Sequence, residues 1–122
     1  MAVVEVHITV GAGVVALNLL AGVWGLLVWR RNAVVTGLLQ QTIALSHTVV
    51  LAQAALGLYL LSGGNRAPAQ LHYVYGLLPV GAVLFGYSAR TEDGRRNLLV
   101  FSVIALVIAA LAVRAFMTGK GM

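Results

Sequence analysis

The chain has 122 residues, of which 61% are hydrophobic and 9% are charged, and its mean hydropathy is +0.96. This composition excludes an ordinary soluble domain, and the length predicts a single domain covering residues 1–122. The net charge of +5 comes from basic residues near the predicted helix ends, so it indicates membrane topology rather than nucleic-acid binding. Because the sequence contains no cysteine, disulfide exchange, thiolate catalysis and cysteine-bound metal clusters are also excluded.

Four long apolar runs account for most of the sequence, at residues 3–29, 33–61, 71–89 and 98–118. A run of about 18 or more apolar residues is long enough to cross the hydrocarbon core of a bilayer, which is about 30 Å thick. The short connections between the runs force neighbouring helices to be antiparallel. We therefore expect an all-α integral membrane protein, an up-down-up-down bundle of four transmembrane helices in which helices one and three are parallel and diagonal. Asn32 is positioned to cap the second helix.

The arginines predict the orientation of this bundle. The first and third connections contain Arg30, Arg31, Arg90, Arg95 and Arg96, and the opposite side receives Arg66, Arg114 and Lys120. The excess of positive charge in short cytoplasmic loops predicts that both termini are on the outer side. We expect the protein to reside in a bacterial inner or plasma membrane.

Each apolar run carries its small and polar residues along one side. Lipid does not solvate such groups, and small or hydrogen-bonding residues are typical of contacts between membrane helices. We therefore expect a buried polar network in the interior of the bundle, formed by Asn18, Gln40, His47 and Gln53.

Two of the three histidines are predicted to lie at a similar depth, within about one turn of the outer ends of helices one and three. Each is followed four residues later by a glycine, Gly11 after His7 and Gly76 after His72. A porphyrin between two helices needs an imidazole from each side and a position without a side chain where the macrocycle passes. The sequence thus predicts that His7 and His72 ligate the iron of one b-type haem.

Other residues on the outer side complete this predicted cofactor site. Arg66 and Arg114 could neutralise the haem propionates, and a quinone could bind near Tyr75. His47 is predicted about 22 Å from the outer end of its helix, too deep to reach the same iron.

A purely structural interpretation of the histidines stays open beside the haem hypothesis. His7 and His72 could be interfacial residues, with His72 hydrogen-bonding to a helix end, and His47 could serve only as a hydrogen-bonding residue between helices. Ionisable groups inside a membrane are nevertheless usually functional.

In outline, a four-helix membrane bundle with inward-facing histidines is similar to small b-type cytochromes and to haem-bearing quinone anchors. The small multidrug-resistance transporters have this length but depend on a carboxylate in the first helix, where this chain has only Glu5 at the very start. The quinone-linked thiol oxidoreductases of similar size require cysteines. The resemblance to b-type cytochromes implies haem binding and electron transfer.

Three functional classes are therefore considered, none of which makes the chain an enzyme by itself. The first is electron transfer through a haem or quinone site near the outer face. The second is a non-catalytic accessory subunit of a larger respiratory or photosynthetic membrane complex, or a homo-oligomer. The third is a small transporter, which is disfavoured because the only acidic residues, Glu5, Glu92 and Asp93, lie near the ends of the predicted helices.

Overall fold

The computed structural model of the protein describes residues 2–119, and Lys120 lies outside this part of the chain. Within the described residues the fold consists of four helices and contains no strand. The helices are α1 (Val3–Arg30), α2 (Gly37–Ser62), α3 (Leu71–Ser88) and α4 (Gly94–Thr118). Each is long and apolar enough to cross a membrane. Large apolar side chains on the outside of the helices are about half exposed, as in Leu20, Leu58 and Phe85, which fits contact with lipid. The chain is an integral membrane protein.

Two helices begin at different residues from those predicted. α2 begins at Gly37 because the hydroxyl of Thr36 accepts a hydrogen bond from the backbone N–H of Leu39. The prediction that Asn32 caps this helix is wrong, since Asn32 has a φ of 51° in the turn that follows α1. α4 begins at Gly94 rather than at residue 98, because the carboxylate of Asp93 caps the first turn.

The connections that precede α2 and α4 lie side by side. The guanidinium of Arg95 donates a hydrogen bond of 2.6 Å to the side-chain oxygen of Asn32. The same guanidinium lies over the indole of Trp29, 4.9 Å from its centre. We call this part of the molecule the loop end of the bundle.

Helix α4 packs against both α1 and α3, and α1 also packs against α2, whereas α2 and α3 make fewer contacts. Small residues allow the close approaches. A Cβ atom on Gly22 would lie 2.6 Å from the side chain of Leu106, and one on Gly86 would lie 2.8 Å from the ring of Phe101. The arrangement is consistent with a four-helix bundle in which α1 and α3 lie diagonally. Because Gly22 and Gly86 have no side chain, α4 can pack close to α1 and to α3 at these positions.

A buried apolar layer crosses the bundle at mid-height. It is formed by one or two residues from each helix, Val14, Val50, Val83, Ile104 and Ile108. We call it the apolar layer. Towards the loop end it is followed by Asn18 and His47, and on its other side lie His7 and His72. The polar residues of the bundle are thus divided into two groups.

Candidate functional site

The histidine end of the bundle, on the other side of the apolar layer, is the place where His7, Gly57, His72 and Ala115 meet. The imidazole of His7 is 9% exposed and points from α1 towards α2. A Cβ atom on Gly57 would lie only 3.2 Å from Cε1 of His7 and 3.8 Å from its Nε2. The ring therefore packs closely over Gly57, where a side chain on α2 would require the imidazole to shift by a few tenths of an ångström. Its Nδ1 is buried and has no hydrogen-bond partner.

Gln53 makes the reciprocal contact one turn deeper. A Cβ atom on Gly11 would lie 2.8 Å from Nε2 of Gln53, and the Oε1 of Gln53 is buried without a hydrogen-bond partner. Two antiparallel helices thus exchange side chains over glycines, His7 over Gly57 and Gln53 over Gly11. Gly11, predicted to leave space for a macrocycle, receives the Gln53 side chain instead.

The tautomer of His72 follows from its hydrogen bond. Its Nδ1 lies 2.7 Å from the backbone carbonyl oxygen of Ala115 on α4. Because a carbonyl oxygen only accepts hydrogen bonds, Nδ1 carries the proton and Nε2 presents a lone pair. Histidines that bind metals commonly donate their other ring N–H in this way, which orients the ring and raises its basicity.

The rings of His7 and His72 face each other across the diagonal of the bundle. Their centres are 6.3 Å apart and their planes are inclined by 80°. Two imidazoles bound to one metal ion at about 2 Å place their ring centres about 6 Å apart. The observed separation is compatible with two imidazoles that bind one metal ion from opposite sides, and it also lies within the range of about 4.5–7 Å for direct contact between aromatic rings.

A cavity of about 750 Å³ surrounds the two histidines and is lined by residues of all four helices. Its size is within the range of about 300–1,000 Å³ that is typical of small-molecule sites. Gly11, Gln53, Tyr75 and Gly76 contribute to its wall. At Gly76 a Cβ atom would meet no other atom within 4 Å, so this glycine faces open space.

The two arginines predicted to neutralise propionates lie outside the wall of this cavity. The guanidinium of Arg66 donates to the carbonyl oxygen of Leu61 in the last turn of α2 and to that of Asn65 in its own connection. That of Arg114 lies 5.6 Å from the ring centre of Tyr75. Arg114 is therefore next to a cavity residue, whereas Arg66 is held by the backbone that precedes it.

The predicted buried polar network is not a single network. Gln40 is exposed, and the prediction that it is buried is wrong. Its neighbour Leu39 takes the inner position at the start of α2 and is fully buried. Asn18 is fully buried and donates to the carbonyl oxygens of Val14 and Ser46. Gln53 belongs to the cavity at the histidine end.

His47 is buried on the side of the apolar layer that faces the loop end. It bonds to Tyr87, which the sequence did not indicate as its partner. Its Nδ1 lies 2.9 Å from the hydroxyl of Tyr87 on α3, and its ring centre is 5.3 Å from that of Phe101 on α4. These contacts join α2, α3 and α4 on the far side of the apolar layer from His7 and His72.

The residues most clearly missed from the sequence are Gly57 and Ala115. No sequence motif pairs Gly57 on α2 with His7 on α1, and their contact depends on how the two helices pack. Ala115 contributes only its backbone oxygen, for which a sequence carries no signal.

Few side chains at the histidine end could ligate a metal ion. Within residues 2–119 no group of three or more His, Cys, Asp or Glu side chains comes together to hold a metal ion. The site offers two imidazoles and a large, mainly apolar cavity. A structural zinc ion takes four protein ligands, so this donor set does not suit one.

The fold and the site define a four-helix integral membrane protein with a mainly apolar cavity that includes two histidines. No family model matches the sequence, and neither a curated protein nor a solved structure shows detectable similarity to it.

Proposed function

We propose that this protein transfers electrons in the membrane and holds one b-type haem between His7 and His72. The observation that carries the proposal is the pair of imidazoles 6.3 Å apart, with Nδ1 of His72 hydrogen-bonded to the carbonyl oxygen of Ala115. This hydrogen bond leaves Nε2 of His72 as the ligating nitrogen.

The donor set supports a haem better than a bare metal ion. A haem would need two nitrogen ligands from the protein, and His7 and His72 are the two residues that would hold it. The space around the rings also suits a large flat molecule, since the cavity is about 750 Å³ and Gly76 leaves its wall without a side chain.

A haem held by both His7 and His72 would supply one-electron chemistry. The protein's part is to hold the two imidazoles, exclude water and neutralise charge. Arg114, next to Tyr75, is the better placed of the two arginines to meet a propionate. A membrane quinone near Tyr75 is the proposed redox partner.

The proposed topology places the histidine end and both termini outside the cytoplasm, with the arginine-rich loop end inside. We expect a reporter that is active only outside the cytoplasm to be active when fused after Met122. The same reporter inserted after Asp93, in the connection before α4, is the control and should be inactive. Activity of the insertion and inactivity of the C-terminal fusion would contradict the orientation.

The proposal as a whole is tested by an optical spectrum of the purified protein. We expect the dithionite-reduced-minus-oxidised spectrum to contain the alpha band of a six-coordinate b-type haem, with one haem per chain by pyridine haemochrome assay. Expression should include added haem precursor, so that cofactor supply does not limit loading. A colourless protein that also fails to bind added haemin would end the proposal and favour the accessory-subunit class.

A further inference from the structure

Gln53 is a polar side chain that lies one turn from the contact of His7 with α2. The proposed haem site does not explain its position. Both residues sit in the same antiparallel contact, one turn apart, each over a glycine of the other helix. Both line the cavity. Each also carries a buried polar atom without a partner, Nδ1 of His7 and Oε1 of Gln53.

These two atoms are chemically complementary. When Nε2 of an imidazole is a metal ligand, its Nδ1 carries a proton and needs an acceptor. The amide oxygen of Gln53 is an acceptor, and a buried polar atom left without a hydrogen bond is destabilising. Pairing them would satisfy both atoms at once.

His72 already has the corresponding arrangement on the opposite helix. Its Nδ1 donates to the carbonyl oxygen of Ala115, a backbone acceptor. No backbone carbonyl bonds to Nδ1 of His7, so for this residue the equivalent role falls to a side chain. The two axial imidazoles would then differ in the kind of acceptor that orients them.

We infer that Gln53 is a positioning residue for His7. When Nε2 of His7 binds iron, the amide oxygen of Gln53 would accept a hydrogen bond from Nδ1, a bond that this structure does not contain, and would so direct Nε2 into the cavity. This inference rests on the proposed function. Gln53 acts through His7 and does not itself bind iron. Its removal should weaken haem binding and alter the electron density on the iron without removing an axial ligand.

Two substitutions separate hydrogen bonding from packing. Gln53→Met keeps the length of the side chain but removes the acceptor, and Gln53→Glu keeps an acceptor oxygen at the same position as part of a carboxylate. The matched control is Gln40→Met, the same change at the exposed glutamine of the same helix. The measurements are haemin affinity and the midpoint potential of the bound haem.

For Gln53→Met we expect a loss of about 10-fold in haem affinity, in the range found when a partner behind a ligating histidine is removed. The midpoint potential should rise, because an imidazole without an acceptor at Nδ1 donates less charge to ferric iron. Gln53→Glu should restore affinity and return the potential to the wild-type value or below. Gln40→Met should leave both unchanged.

A haem-loaded wild type with the same potential and affinity in Gln53→Met as in Gln40→Met would overturn this inference and leave the haem site standing. A rise in potential that Gln53→Glu does not reverse would also overturn it, since a packing change alone would then suffice. A wild type that binds no haem would overturn the proposed function and the role of Gln53 together.

Discussion

His72→Ala is expected to abolish the low-spin haem spectrum of the protein. The substitution would remove one of the two imidazoles of the proposed haem site, and the backbone oxygen of Ala115 would lose the donor that lies 2.7 Å away. The loss of haem affinity should exceed the range of about 10–100-fold that follows changes behind a metal ligand. Reduced-minus-oxidised spectra and a haemin titration of the purified variant measure the effect.

The control for this substitution is His47→Ala, which removes the buried histidine on the other side of the apolar layer. It breaks the hydrogen bond to Tyr87 and should leave the spectrum unchanged. Added imidazole should restore a six-coordinate spectrum to His72→Ala by filling the space of the missing ring. An unaltered alpha band in His72→Ala would show that the axial ligand is another residue.

Gly76→Leu is expected to exclude haem while leaving both imidazoles in place. A Cβ atom at this position meets no other atom within 4 Å, so the substitution should not prevent folding. A leucine side chain would project into the cavity and compete for its volume with the macrocycle. We expect the haem content to fall to a small fraction of the wild-type value, with the thermal stability of the haem-free protein equal to or above that of haem-free wild type.

The chain offers a matched control for this change in the same helix. Gly81 also faces open space, but it is exposed on the surface of α3 and does not line the cavity. Gly81→Leu should raise helix propensity to the same extent and leave haem content unchanged. Equal haem content in both variants would mean that the macrocycle does not pass Gly76, and would place it elsewhere in the bundle.

The helices and the approach of His7 to His72 could be predicted because they depend on the lengths of the apolar runs and of the connections between them. Long apolar runs determine the number of helices, and counting residues at 1.5 Å each gives a similar depth for the two histidines. The short connections then place α1 and α3 on a diagonal, where side chains of equal depth can meet. Neither the number of helices nor the shared depth of the two histidines depends on how the side chains pack.

The finer features could not be predicted because they depend on helix rotation and on the backbone. Gln40 and Leu39 differ by about 100° of helix rotation, and which of them faces inward depends on where α2 begins. That beginning was predicted at residue 33, whereas the cap is Thr36. The hydrogen bond from His72 to Ala115 and the exchange of side chains over Gly11 and Gly57 likewise require the packed helices.

The position of the apolar layer has an electrical consequence for a protein that spans a membrane. His7 and His72 lie on one side of it, and the layer contains only valine and isoleucine. Moving one charge across the whole membrane is worth about 2.3 kcal/mol per 100 mV, but a charge entering from the nearer surface crosses only a small part of that field. Electron exchange at the histidine end would therefore be nearly independent of membrane voltage, and a single chain would not carry charge from one compartment to the other.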